Sequence, residues 1–185
     1  LRSFTQRAYG FEGLPDGRAV DGTFEDCPVD ERTTVQIVGL RKEFERGGKT
    51  FTAVNNLYWD MREGEISVLL GHNGAGKSTT MNMMTGMLQA DAGDCFIYGY
   101  SVRNELSMVR REIGYCPQSN VLWPELTCEE HLRFYGTIKG LSGQVLEDAV
   151  QSALEGVDLL DKRTYQSSAL SGGQKRKLSV AIAFV

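Results

Sequence analysis

The sequence predicts an α/β domain, and three observations carry that prediction. Residues 65–70, Glu-Ile-Ser-Val-Leu-Leu, form a short, mostly apolar run after the turn signal Glu63-Gly64 and read as a buried strand of a parallel sheet. A glycine-rich loop follows at once, Gly71-His72-Asn73-Gly74-Ala75-Gly76-Lys77-Ser78, and runs into residues 77–88, which have helical length and spacing. Further along, strand-like and helix-like segments alternate, as an α/β core requires.

Each element has its own signal. Residues 1–31 are rich in Gly, Asp and Glu, keep no sustained period and carry the turn Leu14-Pro15-Asp16-Gly17, so they read as a linker. Residues 33–38 alternate polar with apolar, residues 51–61 supply a second extended segment, and Gly47-Gly48-Lys49 between them predicts an antiparallel pair. After the glycine loop and its helix come a turn at residues 90–93, a strand at 94–98, a short helix at 105–111 and a strand at 113–116. From Thr127 the character changes. Thr127-Cys128-Glu129-Glu130 fits a capping box, and Leu132, Tyr135 and Ile138 follow at helical spacing. Residues 144–157 make a second amphipathic helix through Val145, Ala149, Leu154 and Val157. His131, Phe134 and Tyr135 read as packing residues. Residues 174–185 form a last helix, basic in its first turn and apolar beyond it.

Gly71 through Ser78 matches G-x-x-x-x-G-K-[ST], the P-loop. Gly71, Gly74 and Gly76 let the backbone take positive φ, so that successive N–H groups face one cavity, and the following helix N-terminus faces the same anion. Lys77 is placed to neutralise the β- and γ-phosphates of a nucleotide triphosphate, and Ser78 to coordinate Mg²⁺. His72 occupies a free position of the pattern. A second glycine motif, Leu170-Ser171-Gly172-Gly173-Gln174, opens the last helix, where free amides, a hydroxyl and the cations Lys175, Arg176 and Lys177 together make an anion receptor. An ordinary serine N-cap is the other meaning of those residues.

The P-loop, then Tyr115-Cys116-Pro117-Gln118, then a helical stretch, then Leu170-Ser171-Gly172-Gly173-Gln174 resembles, over residues 33–185, the nucleotide-binding domain of the ATP-binding cassette (ABC) transporters. In that family these pieces are the Walker A loop, the Q-loop and the signature motif. Residues 113–123 followed by 126–135 look most like the A subfamily, mainly lipid transporters. The resemblance implies a P-loop NTPase (RecA-like) core with a small antiparallel β subdomain and an inserted helical subdomain. Its divisions would be residues 1–31 as linker, 32–118 as ATP-binding core, 119–172 as helical subdomain and 173–185 as the start of the helix returning to the core.

By the same resemblance ATP is held by Phe44, Gly71, Asn73, Gly74, Ala75, Gly76, Lys77, Ser78, Thr79 and Gln118. Phe44 stacks on adenine, with Phe51 as competing candidate, and Ser78 and Gln118 serve Mg²⁺. Ser171, Gly172, Gly173 and Gln174 cap the nucleotide of a second cassette, in the same or a paired chain. Lys77, Gln118 and Ser171 are the catalytic set. The implied partners are transmembrane domains of the same transporter, at the cytoplasmic face of a membrane, with lipid cargo. The Walker B Asp, catalytic Glu and switch His of the family lie outside residues 1–185, so the chain reads as a fragment that hydrolyses ATP weakly or not at all alone.

Composition bounds these expectations. With 185 residues and 41% hydrophobic content the chain can build a compact core, and a net charge of −4 gives no broad basic footprint for nucleic acid. No apolar run reaches the ~20 residues of a bilayer span, and the start carries no signal peptide. Cys27, Cys95, Cys116 and Cys128 have neither metal-ligand nor disulfide spacing and read as free thiols of a reducing cytosol. The alternatives are a soluble ABC-type ATPase of translation or DNA work, a P-loop small-molecule kinase, which leaves residues 171–174 unexplained, and a non-catalytic nucleotide-binding platform.

Overall fold

The computed structural model describes residues 33–185, which divide into two compact units, one ending at Glu112 and the other spanning Ile113–Val185. The expectations for residues 1–31, with their turn and Cys27, lie outside the described residues.

In the first unit β1 (Thr33–Arg46) and β2 (Lys49–Arg62) form a long hairpin. Its two-residue turn is Gly47-Gly48, at φ 60° and 73°, the backbone that matches the twist of the flanking strands. β3 (Ala92–Ile97) pairs antiparallel with the other edge of β1, and the short β4 (Tyr100–Ser101) pairs with β3, giving the order β2-β1-β3-β4. The ladder slips near the hairpin end. Lys42 pairs with Val54 and Glu43 with Thr52, so Ala53 is an extra residue, a β-bulge. Ile37, Leu40, Val54, Cys95 and Ile97 are buried on the sheet. Met83 and Met84 of α1 (Lys77–Met84) and Val109 of α2 (Leu106–Glu112) are buried too.

Three sequence expectations are corrected here. Residues 65–70 are not a strand: Ile66, Val68 and Leu70 are 95%, 64% and 83% exposed. A parallel strand exists only through hydrogen bonds to neighbours far away in sequence, and among the described residues nothing pairs with this run. Residues 113–116 lack strand structure for the same reason. α1 ends at Met84, not at residue 88, because Gly86 at φ 67° closes it. The Gly86 N–H donates to the Met83 carbonyl (3.1 Å) and the Met87 N–H to the Asn82 carbonyl (2.8 Å), the Schellman pattern that satisfies the last carbonyls of a helix.

The second unit packs α3 (Cys128–Ile138), α4 (Gly143–Gly156) and α5 (Gly172–Phe184) around Cys128, Leu132, Val150, Ala153, Leu154, Leu159, Leu170, Leu178 and Ala181. The capping box of α3 is present: Thr127 Oγ1 accepts the Glu130 N–H at 3.2 Å, and Glu130 Oε2 accepts the Thr127 N–H at 2.7 Å. His131 is buried, as its packing role requires. Its Nδ1–H donates to the Thr127 carbonyl at 2.8 Å, which leaves Nε2 to accept the Trp123 N–H at 2.9 Å.

The connection from α4 to α5 is stitched to the start of α3. The Cys128, Glu129 and Ser167 amides bond the Tyr165, Arg163 and Leu126 carbonyls at 3.1, 3.1 and 2.9 Å. The Arg163 guanidinium reaches Glu129 at 2.5 Å and Glu147 at 3.3 Å, while Arg133 holds Glu147 from the other side at 2.9 Å. The bond from Arg133 is the main cause that keeps the Glu147 carboxyl below the usual glutamate range. Cys95, Cys116 and Cys128 are free thiols; burial pushes Cys95 up to about 12 and raises Cys128, so neither buried cysteine is a nucleophile.

The packing of the second unit makes a graded expectation. Leu154→Ala, at a fully buried site, is expected to cost about 2–5 kcal/mol, whereas Val145→Ala, on the exposed side of the same helix, should stay within about 0.5 kcal/mol. Denaturant unfolding measures both, and equal costs would contradict the core assignment.

Candidate functional site

The first unit contributes the glycine loop. Gly74 and Gly76 take positive φ, 87° and 83°, as the sequence predicts. Gly71 does not. Its lack of a side chain serves close approach instead, since a Cβ there would lie 3.0 Å from the Ala75 Cβ. Gly76 is constrained twice, because a Cβ on it would also sit 2.2 Å from the carbonyl oxygen of Ala53. The bulge on β2 therefore receives the loop backbone at the residue that caps α1.

Lys77 folds back over this loop. Its ammonium donates to the Gly71 carbonyl at 2.6 Å and to the His72 carbonyl at 2.8 Å. The Thr80 N–H and hydroxyl both turn to the Gly76 carbonyl, at 2.8 and 3.1 Å, so helical bonding begins with Thr80. The preceding amides of Lys77, Ser78 and Thr79 lie in the turn that a helix cannot satisfy from within. No acidic side chain occupies that first turn, so the positive end of the helix dipole is not offset. An exposed ammonium and an unsatisfied helix N-terminus thus stand side by side on this glycine loop, the groups that a polyphosphate would need. His72 Nδ1 lies 2.8 Å from the Asn73 carbonyl, a local contact that leaves its position in the motif free.

Phe44 and Phe51, the two stacking candidates, are direct cross-strand partners near the hairpin tip, so they project from one face of the ribbon. Phe44 is 40% exposed and Phe51 57%. The Lys42 ammonium lies 5.5 Å from the centre of the Phe44 ring, and its main anchor is Asp91 at 2.7 Å.

The second unit carries Gln118 and the second glycine motif. Ser171 is the N-cap of α5: its Oγ accepts the Gln174 N–H at 3.3 Å, and Gln174 Oε1 accepts the Ser171 N–H at 2.9 Å. The N-cap meaning of this serine is present, and the cap uses the oxygen while leaving the hydroxyl proton free to donate. Gln174 is a fastener of the cap, which anchors the motif, with Leu170 buried behind it. Gly172 and Gly173 are exposed, keep φ outside the positive region and have nothing within 4 Å of where a Cβ would be. Nothing among the described residues requires glycine there. What the missing side chains leave is bare, exposed backbone.

The aromatic residues of α3 form a surface that sequence reasoning assigned to packing alone. Trp123 meets Phe134 edge-on with ring centres 5.0 Å apart, and Tyr135 lies 5.8 Å away. A shallow hollow of about 200 Å³ opens between Trp123, Glu125, Leu126 and Phe134. Tryptophan at position 123 was the available signal, because an indole that size is seldom fully covered.

Among known proteins, the ABC transporter family model matches residues 54–185. ABC transporter A family member 2 of Dictyostelium discoideum is 46% identical over 178 residues, covering 92% of this chain and 11% of that protein. The phospholipid-transporting ATPase ABCA3 of Mus musculus is 43% identical over 162 residues, covering 88% of this chain and 10% of that protein. The chain thus spans about a tenth of the length of these relatives. In structure it is similar to the dimeric post-hydrolysis state of the ATP-binding cassette MJ0796 bound to ADP and Pi. The TM-score is 0.71 and the identity 26%, with 80% of this chain and 68% of that one covered.

The loop geometry separates two substitutions. Gly74→Ala, strained in φ but facing open space, is expected to cost about 1–2 kcal/mol. Gly76→Ala should cost more and abolish triphosphate binding, because the loop must leave Ala53. Thermal unfolding together with titration of a fluorescent ATP analogue tests this, and equal effects of the two would contradict the docking of loop on bulge.

Proposed function

This chain belongs to the ABC transporter family as an ATP-binding cassette of the A-subfamily type, and we propose that it is the ATP-driven engine of a membrane transporter that moves lipid or a related amphiphile. The supporting observation is the pairing, in one chain, of a loop shaped for a triphosphate with a helix start whose glycine backbone is bare. A cassette that completes a neighbour's site needs both. MJ0796 in its dimeric form and ABCA3 as a phospholipid-transporting ATPase give the reading its precedent.

In this reading Lys77 exchanges the carbonyls of Gly71 and His72 for β- and γ-phosphate oxygens, and the amides from Gly71 to Thr79 close around them, that of Asn73 included and that of Ala75 giving up its 3.2 Å bond to the His72 carbonyl. Phe44 stacks on the adenine. Ser78 and Gln118 would hold Mg²⁺, which when bound would offset phosphate charge. The Ser171 hydroxyl and the Gly172 and Gly173 amides of one cassette close on the γ-phosphate held by the other, while Gln174 keeps the cap in shape. Each charge-assisted hydrogen bond of this kind is worth about 1.5–3 kcal/mol. Those directed at the γ-phosphate last only until it leaves, so hydrolysis opens the clamp.

The proposed divisions are a linker at residues 1–31, the ATP-binding core at 32–118, the helical subdomain at 119–172 and the returning helix from residue 173. The full-length protein places this cassette at the cytoplasmic face of a membrane, beside a second cassette and transmembrane domains. No helix of the described residues is long and apolar enough to cross a membrane. The chain by itself is proposed to bind ATP and hydrolyse it poorly.

Lys77→Ala in the full-length protein is the direct test. ATPase turnover is expected to fall at least about tenfold, the equivalent of about 1.4 kcal/mol in the barrier, and free phosphate, with no phosphorylated acceptor, is the expected product. Undiminished turnover would sink the assignment.

A further inference from the structure

The segment that carries Gln118 is fastened to the helix that carries Ser171, and the fastening residue is one no motif names. Arg176 lies in the second turn of α5 and points one guanidinium nitrogen at two successive carbonyls, donating to Pro117 in a short contact and to Gln118 at 3.4 Å. Three residues on, along the same face of the helix, the Ser179 hydroxyl lies 2.9 Å from the Lys175 carbonyl of its own helix and 3.3 Å from Asn120 Oδ1, so its single proton is shared between the two acceptors. A third contact lies at the other end of α5. A Cβ on Gly114 would sit 1.9 Å from the Ala183 carbonyl oxygen, so the two backbones touch. Residues 114–120 are neither helix nor strand, and these ties to α5 stand where a ladder would otherwise position them.

At its N-terminus the same helix is held rigid by the Ser171–Gln174 capping box and by buried Leu170, Leu178 and Ala181. A displacement of the Gln118 backbone therefore pulls on a helix whose first residues are Gly172 and Gly173. Arginine suits this task. That one nitrogen carries two N–H groups held in a fixed plane and stays charged at any working pH, whereas a lysine ammonium sits on a flexible stem.

We infer that Arg176 is a positioning residue that couples the two nucleotide sites a cassette serves, by tying the Gln118 segment of its own site to the Ser171 helix that completes its partner's. The inference rests on the paired-cassette reading above. Arg176 touches no phosphate in this account; it acts through Gln118 and Ser171, and its substitution leaves the core intact because its side chain is exposed.

The test is the ATP-concentration dependence of hydrolysis in the full-length protein. Wild type is expected to show a Hill coefficient approaching about 2, the number of sites. Arg176→Ala should bring it towards about 1 with the half-saturating ATP concentration little changed, a split that a merely structural defect would not produce. Arg176→Lys, which keeps the charge without the fork, should fall between. An unchanged coefficient in Arg176→Ala overturns the inference and leaves the paired-cassette reading standing, whereas a wild-type coefficient of about 1 overturns both. Should Arg176→Ala fail to assemble, Asn120→Ala decides: it removes only the Ser179 tie, a lowered coefficient supports the coupling, and an unchanged one overturns it.

Discussion

Gly76 has no space for a side chain, and the nucleotide end of this molecule is built around that fact. The carbonyl of Ala53 stands where its Cβ would be, 2.2 Å away, and its φ of 83° belongs to the region only glycine enters freely. Because the residue is also the N-cap of α1, the place where the hairpin touches the loop is the place where the helix starts. The bulge at Ala53 moves the β2 backbone out to meet it, a use of bulges beside functional sites that recurs widely. With that contact made, the loop folded under Lys77 runs directly into the first turn of α1. Without it they are three unrelated local structures.

The second unit solves a different problem, which is to hold a short exposed motif still while leaving it bare. Ser171 and Gln174 satisfy one another, and Leu170 anchors the turn in the core. Behind the motif the chain from Arg163 to Ser167 is laced to the start of α3 by backbone bonds and by the Arg163, Glu129, Glu147 and Arg133 group. Single surface ion pairs contribute about 0–1 kcal/mol, so the lacing matters chiefly as geometry: it fixes the path by which the chain reaches Ser171. Among the described residues, nothing lies within 4 Å of where a side chain on Gly172 or Gly173 would start.

Local chemistry was legible in the sequence, and long-range pairing was not. The Thr127 capping box, the Gly47-Gly48 turn, the P-loop and the helix opened at Ser171 each depend on residues within a few positions, and each stands where it was read. Residues 65–70 and 113–116 have the composition of strands, but a parallel strand is defined by neighbours that composition does not name, and among the described residues none pairs with them. Gly86 was a stop signal overlooked within a helical pattern, and the Schellman bonds to Met83 and Asn82 show its purpose. Gly71 was credited with a positive φ when crowding against Ala75 is its constraint. Arg176 read only as one of three cations beside the second glycine motif, because its target, the Pro117 carbonyl, lies 59 residues away in sequence.

The central claim is that the Ser171 helix start closes over a triphosphate held on another cassette's glycine loop. The direct measurement is site-specific disulfide formation between a cysteine introduced as Ser171→Cys and one in the facing glycine loop, in a full-length, hydrolysis-deficient protein. The account predicts rapid crosslinking when ATP saturates both sites and little with ADP or no nucleotide. Crosslinking that is absent under ATP, or equally fast without it, would contradict the claim.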